Sequence, residues 1–229
     1  MKKLAVILFL MGYVSTITFA EDPTDKKFHF GLKATPGVFW VKAGDVTVTS
    51  NGLKFGFGYG LITEFRLAEN YAFATGIDVA GLGAKFTQIT SVTTGTVTAA
   101  VNDKEDIKLQ YIQIPLTLKM KTKQIGAMKY FGQFGLGVAV NLKATSDYKL
   151  TIGGSPAVEK NDADIKSNIN PIRLALIVGG GVEYNLSGST SLLISAHFDN
   201  GFLNTIKSNS DYKTKAFTKG VVLTVGILF

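Results

Sequence analysis

The chain has 229 residues, with 24 lysine and arginine residues against 17 aspartate and glutamate residues, and it contains no cysteine. Its length suits one all-β domain, and the absence of cysteine excludes a disulfide-stapled fold. A basic balance can indicate a nucleic-acid partner, but the lysines are scattered through predicted loops and strand ends. We therefore expect no nucleic-acid partner and interpret the positive charge as a means of attraction to anionic lipid headgroups.

Residues 1–20 have the order of a secretory signal peptide. Lys2 and Lys3 precede an apolar run over residues 4–14, and Ala20 ends a small-residue cleavage site. That run is too short to span a membrane, and no other apolar run reaches about 18 residues. We predict cleavage after Ala20, one mature barrel domain over residues 21–229, and localisation in the bacterial outer membrane.

Alternation with a period of two predicts eight strands along the rest of the chain. They cover residues 28–40, 53–67, 72–79, 107–120, 130–142, 172–186, 191–199 and 217–229. Tight turns are predicted at residues 68–71 and 187–189, a short connection around residues 121–127, and polar loops over residues 42–52, 86–106, 145–170 and 207–215. Proline has no backbone donor, so Pro36 predicts a bulge or bend and Pro115 predicts a local break in pairing.

The last strand organises the prediction. Val221, Leu223, Val225, Ile227 and Phe229 share one face, while small or polar residues take most of the other. A terminal strand leaves an exposed edge unless a barrel closes on it. A last strand that ends in an aromatic residue resembles the C-terminal strand that the barrel-assembly machinery of outer membranes recognises. Phe229 is therefore a candidate assembly signal. The alternative is an edge strand of a soluble sheet.

The order of the connections favours an eight-stranded antiparallel transmembrane β-barrel with an up-and-down meander. Short and long connections alternate, as in outer-membrane barrels. In such a barrel the apolar faces point to lipid and the small or charged residues point to the lumen, the inverse of a soluble barrel. An even number of strands places both termini on the periplasmic side.

Short motifs carry a family resemblance over nearly all of the mature chain. The stretch from Tyr111 to Lys119 reads Tyr-Ile-Gln-Ile-Pro-Leu-Thr-Leu-Lys, residues 179–184 are glycine-rich, and residues 195–204 precede the closing strand. Together they resemble the PorT-like outer-membrane β-barrel family. Here His197-Phe198 replaces the Arg-Tyr that is usual in that family, so a role for the arginine does not transfer. The resemblance implies the barrel and a link to a protein-secretion apparatus, but no activity.

Charged residues at inward positions suggest that the lumen is closed. An eight-stranded barrel is only wide enough for side chains to fill it, and charges buried there must pair. The hypothetical lumen polar network consists of Glu64, Arg66, Asp78, Lys119, Arg173, Glu183, His197 and Asp199. No spacing predicts a metal or cofactor site.

The predicted function is therefore non-enzymatic, with a structural, binding or envelope-assembly role exerted through the outer loops. The expected partners are outer-membrane lipids, the barrel-assembly machinery and other envelope proteins. Two alternatives remain open. One is a component of a secretion or transport apparatus, and the other is an outer-membrane enzyme that uses His197, with Ser195 and Asp199 on the same strand face.

Overall fold

The structure is a computed structural model that describes residues 27–43, 48–50, 52–94, 97–152, 155–207 and 215–229. The predicted signal peptide lies outside the described residues. The strands are β1 (Phe28–Ala43), β2 (Val48–Ser50), β3 (Lys54–Ala68), β4 (Tyr71–Thr94), β5 (Val97–Lys121), β6 (Met128–Ile152), β7 (Ser155–Asp164), β8 (Ile172–Ser187), β9 (Thr190–Gly201) and β10 (Ala216–Leu228). Among these residues, no helix has the length and apolar character needed to cross a membrane.

Eight of the strands close into one antiparallel barrel, which confirms the predicted fold. The wall runs in the order β4, β3, β1, β10, β9, β8, β6 and β5, and β5 pairs with β4 to complete the circle. The remaining two strands, β2 and β7, pair with β4 and β6 outside this circle. The end of β10 meets the start of β1, where the Phe229 N–H donates to the Phe30 carbonyl over 2.7 Å.

The register of the wall sets its tilt and width. When paired residues are followed once around the barrel from His29, the path returns to β1 at Phe39, a shift of ten residues. With about 3.3 Å of rise per residue and about 4.8 Å between strands, this shift corresponds to a strand tilt of about 40°. An eight-stranded wall of this tilt encloses an interior that side chains fill.

The predicted faces are confirmed. Apolar side chains cover the outside, including Leu32, Phe57, Leu61, Ile77 and Leu223, each more than half exposed. On β10, every second residue from Ala216 to Leu228 is buried, and the residues between them are half-buried or exposed. A soluble sheet has no reason to expose so continuous an apolar surface, so the soluble alternative does not account for this wall.

Three of the predicted loops are wrong in part, because strands continue through them. Residues 86–106 form the outer halves of β4 and β5, which pair until Thr94 meets Val97. Residues 145–170 contain the end of β6, the whole of β7 and a short 3-10 turn at Lys166–Asn168. Within residues 42–52, β1 continues to Ala43 and β2 pairs with β4. Most of the predicted loop at 207–215 lies outside the described residues.

These strands were missed because the sequence there is rich in threonine and polar residues on both faces. Such residues do not alternate in hydrophobicity, although threonine and valine favour extended backbone. Pairing with a neighbouring strand, rather than burial, holds these segments extended.

Both strand prolines interrupt pairing on one side. On β1, Ala34 pairs with Val225 and Gly37 pairs with Val222, so residues 35 and 36 have no partner on β10. The register is unchanged across this gap, so Pro36 does not create the predicted bulge. The predicted break at Pro115 is confirmed on the β4 side, and Pro115 remains paired with Gly137 of β6.

The outer hairpin of β4 and β5 stands beyond the wall, so we expect that the barrel folds without it. Deletion of residues 87–104 joins Phe86 to Glu105, which already pair across the two strands. The shortened protein should keep a thermal unfolding midpoint within a few degrees of the full chain, measured in detergent with heat-modifiable electrophoresis as the folding assay. Failure of the shortened chain to fold would mean that the hairpin stabilises the wall.

Candidate functional site

Four charged side chains form a neutral ring inside the barrel, near the end that carries the short turns, the start of β1 and the end of β10. We call Glu64, Lys119, Lys121 and Glu183 the charge ring. Lys119 pairs with Glu64 and lies 2.6 Å from Glu183, while Lys121 lies 2.6 Å from Glu64 and 2.8 Å from Glu183. Glu64 and Lys119 are each only 1% exposed. Charges this deeply buried are tolerated because each carboxylate meets two ammonium groups.

Three strands supply the ring, and no two of them are adjacent in the wall. Glu64 comes from β3, the two lysines come from the end of β5, and Glu183 comes from β8 on the opposite side of the wall. The Phe131 ring lies 3.9 Å from the Lys119 ammonium, where the face of the ring adds a favourable cation–π contact. Lys121 was predicted to begin a turn rather than to face the lumen, so its part in the ring was missed.

A small chamber of about 60 Å³ lies beyond the charge ring, deeper in the barrel. Lys33 and Asp78 pair across it at 2.8 Å. Gly60 stands between them in the sheet, and a side chain there would meet the Asp78 backbone and carboxylate. The glycine therefore lets the lysine reach a strand that is not its neighbour.

His197 also lines the chamber, at the middle of the barrel. It faces Gly179 on the adjacent strand, as expected for a hairpin centred on the predicted turn at residues 187–189, and a side chain at Gly179 would collide with it. Its Nδ1 atom is buried and has no hydrogen-bond partner within the described part of the protein. The chamber has room for a few water molecules at about 10–15 Å³ each.

Arg173 and Asp199 form a second buried pair on β8 and β9. Arg173 also donates to the Thr218 carbonyl at 3.4 Å. The Thr218 hydroxyl lies 2.7 Å from that of Thr205. Because Asp199 is held by the arginine, it does not orient His197 as a catalytic base would require. The enzyme alternative would therefore have to use His197 without Asp199 as its orienting group.

An apolar cluster fills the lumen on the side of the long hairpins, which the sequence analysis did not foresee. It consists of Phe39, Val41, Leu82, Ala84, Ile107, Leu109, Tyr111, Ala139, Ala144, Ile169, Ala216 and Val222. Phe39 occupies space that a side chain at Gly56 or Gly220 would fill. Alternation from His29 places Phe39 inward, so the available signal was a large aromatic at an inward position.

Arg66 takes a different place from the rest of the predicted network. It is half-buried and lines a vestibule of about 300 Å³ at the short-turn end, together with His29, Glu69 and Lys129. Glu64, Lys121 and Glu183 form the floor of this vestibule, while Lys119 faces the chamber. The charge ring is thus the partition between the two cavities.

Beyond the wall, the outer strands form a sheet that we call the platform: residues 85–94, 97–106 and 143–152 with β2 and β7. Lys108 lies at its base, 2.8 Å from Asp147 and 3.2 Å from Asp162. Asp162 has a positive φ of 51° at a bulge, and its N–H donates to Asp147 over 2.7 Å. Hydrogen bonds from Lys108 and from the Asp162 backbone hold the pKa of the Asp147 carboxyl below its usual value.

The family described as "Outer membrane protein beta-barrel domain" matches residues 19–229. Neisserial surface protein A is 13% identical, with 89% of this chain and 96% of that chain covered and a TM-score of 0.45. OprG from Pseudomonas aeruginosa is 12% identical, with 91% and 98% covered and a TM-score of 0.47. Ail of Yersinia pestis is 9% identical, with 89% and 100% covered and a TM-score of 0.32. No curated protein sequence matches the chain. The matching family is the barrel domain in general, so the PorT-like relationship stays a prediction.

Replacing Lys119 by methionine should destabilise the protein strongly. The substitution removes one of two cations from a buried ring and leaves a net negative charge beside Lys121. We expect a loss of about 3–5 kcal/mol, the cost typical of an uncompensated buried charge. Urea unfolding in lipid vesicles measures it.

The matched control is Lys123→Met, which makes the same change at an exposed residue of the adjacent turn. It should change the free energy of unfolding by less than about 0.5 kcal/mol. Equal effects of the two substitutions would contradict the role assigned to the charge ring.

Proposed function

Because the chain belongs to the outer membrane protein β-barrel domain family, which resides in the bacterial outer membrane, we propose that it is a non-enzymatic barrel whose sealed wall anchors a platform for binding envelope partners. The observation that supports this proposal is the contrast between the two parts of the molecule. The lumen is blocked twice along its axis, whereas β4, β5 and β6 continue well past the wall.

The closed lumen argues against a transport role. The charge ring closes one side of the chamber, and Phe39, Leu82 and Val222 of the apolar cluster close the other. An ion would have to displace paired charges and then cross an apolar layer. Barrels that keep an aqueous channel have about 16 strands, twice the number found here.

The platform supports the binding role. From residue 85 to residue 94, β4 extends by ten residues, or about 30 Å along the strand. Its charged side chains include the ion pairs of Lys85 with Asp106 and Lys149 with Glu159. A sheet whose strands are paired through their backbones presents an extended surface, which a partner can bind at a lower cost in ordering than a free loop would require.

The short turns, the start of β1 and the end of β10 mark the periplasmic side in this proposal. The three tight connections, around residues 69–70, 122–127 and 188–189, all lie at the end where Phe28 and Phe229 lie. Outer-membrane barrels have short periplasmic turns and long external loops. The platform then stands outside the cell.

Conductance tests the sealed wall. Refolded wild-type protein in a planar bilayer should show no steady current, and Phe39→Ala should remain silent because the charge ring is still in place. A 16-stranded porin in the same bilayer is the positive control. Stable, reproducible conductance by the wild type would overturn the sealed lumen.

Crosslinking tests the platform. A photoreactive residue placed at Lys149, on the platform, should yield protein adducts in native membranes, whereas one placed at Leu61, on the lipid-facing wall, should yield lipid adducts. The protein adducts should disappear when residues 87–104 are deleted. Protein adducts of the same kind at both positions, or at neither, would contradict binding through the platform.

Phe229 is the proposed assembly signal. Its ring lies 5.6 Å from that of Phe30 across the seam between β10 and β1. Deletion of Phe229 should lower the amount of folded protein in the outer membrane several-fold, because it removes both the recognised end and a seam contact. Phe229→Tyr should restore assembly, and an undiminished yield for the deletion would refute the signal. Immunoblots of fractionated membranes measure it.

A further inference from the structure

The lipid-facing surface of β10 changes character at one residue. Its outward side chains are apolar from Phe229 to Val221, and the next one is Lys219. The ten residues from 229 to 219 rise by about 25 Å at a tilt of about 40°. This is the height of the apolar band of an outer-membrane barrel. Lys219 therefore lies at the membrane boundary on the platform side.

A second lysine and two aromatic residues surround Lys219. It pairs directly with Trp40 of β1, and Lys42 pairs with Phe217 of β10. The two lysines are thus diagonal neighbours on adjacent strands, with about 7–8 Å between them. The Trp40 ring lies 6.1 Å from that of Phe198, so the aromatic contact continues across β10 to β9.

The charges of these two lysines are not compensated within the described part of the chain. No described carboxylate lies within ion-pair distance of Lys42 or Lys219, whereas Lys85 and Lys108 on the same side hold carboxylates. Lys42 is exposed and Lys219 is half-buried. Two cations beside aromatic rings at a membrane boundary are suited to a ligand with an anionic head and an apolar body.

We infer that Lys42 and Lys219, with Trp40 and Phe217, form a binding site for the phosphate headgroup of an outer-leaflet lipid. The flexible lysine stems lie along the apolar wall and bring both ammonium groups to one phosphate. The aromatic rings take the boundary between the headgroup and the acyl chains, where indole and phenyl groups are favoured. The assignment to the outer leaflet rests on the proposed orientation of the barrel, whereas the site itself lies on the wall and does not require the platform's partners.

The test is binding of a diphosphorylated glucosamine-disaccharide lipid to the refolded full chain in octyl glucoside, followed by native mass spectrometry. Each lysine near an anionic surface contributes about a fivefold increase in affinity. Lys42→Gln and Lys219→Gln should therefore each weaken binding about fivefold, and the double variant should weaken it about 25-fold. Lys42→Arg with Lys219→Arg should retain binding. Heat-modifiable electrophoresis checks that each variant is folded. If the double variant does not fold, the two single variants provide the test.

The control Lys123→Gln makes the same charge change at an exposed residue of the opposite end and should bind as the wild type does. The dephosphorylated form of the same lipid should bind no better to the wild type than to the double variant. Unchanged affinity in the glutamine variants would overturn the site. Displacement of the lipid by millimolar inorganic phosphate would show a free-anion site instead and would also overturn the proposal.

Discussion

Closure of the sheet on itself is the constraint on which the rest of the structure depends. Eight strands with a shift of ten residues fix the tilt and leave an interior only as wide as its side chains. A charged inward residue must therefore pair with another residue of the lumen, and glycine is needed where two inward side chains would collide. Lys33 reaches Asp78 over Gly60, and His197 lies against Gly179. These are direct consequences of the small radius.

The same constraint explains why the buried charges are balanced. Lys33, Lys119, Lys121 and Arg173 supply four cations, and Glu64, Asp78, Glu183 and Asp199 supply four anions among the described lumen pairs. An unpaired charge at this depth costs several kcal/mol, so a lumen with an excess of one sign would compete with the folding energy of the whole barrel. Beyond the charged residues, the apolar cluster around Phe39 fills the lumen, and its side chains need no ion pairs.

Sequence alternation was enough to predict the wall, because period two reports directly which face meets lipid. It assigned the faces of β3 and β10, and the predicted turn at residues 187–189 paired Gly179 with His197. It could not predict the charge ring, whose members Glu64 and Lys121 are 57 residues apart. Such a contact depends on the register of every strand between them. The platform was missed for another reason. Its strands are polar on both faces and are held by backbone pairing along their edges, so no alternation in hydrophobicity marks them.

A neutral lumen also determines where the positive charge of the protein must act. The formal net charge of the whole chain is +7, and the described pairs inside the barrel contribute nothing to it. Lys2 and Lys3 of the predicted signal peptide account for two of these charges, and the remaining excess of five lies outside the lumen pairs. Charges in contact with water, salt or anionic headgroups are stabilised at little cost. On the wall, the apolar band admits no charge, so lysines such as Lys219 appear only at its edge. Closure of the barrel thus separates the buried ion pairs of the lumen from the charged outer surfaces on which the proposed binding sites lie.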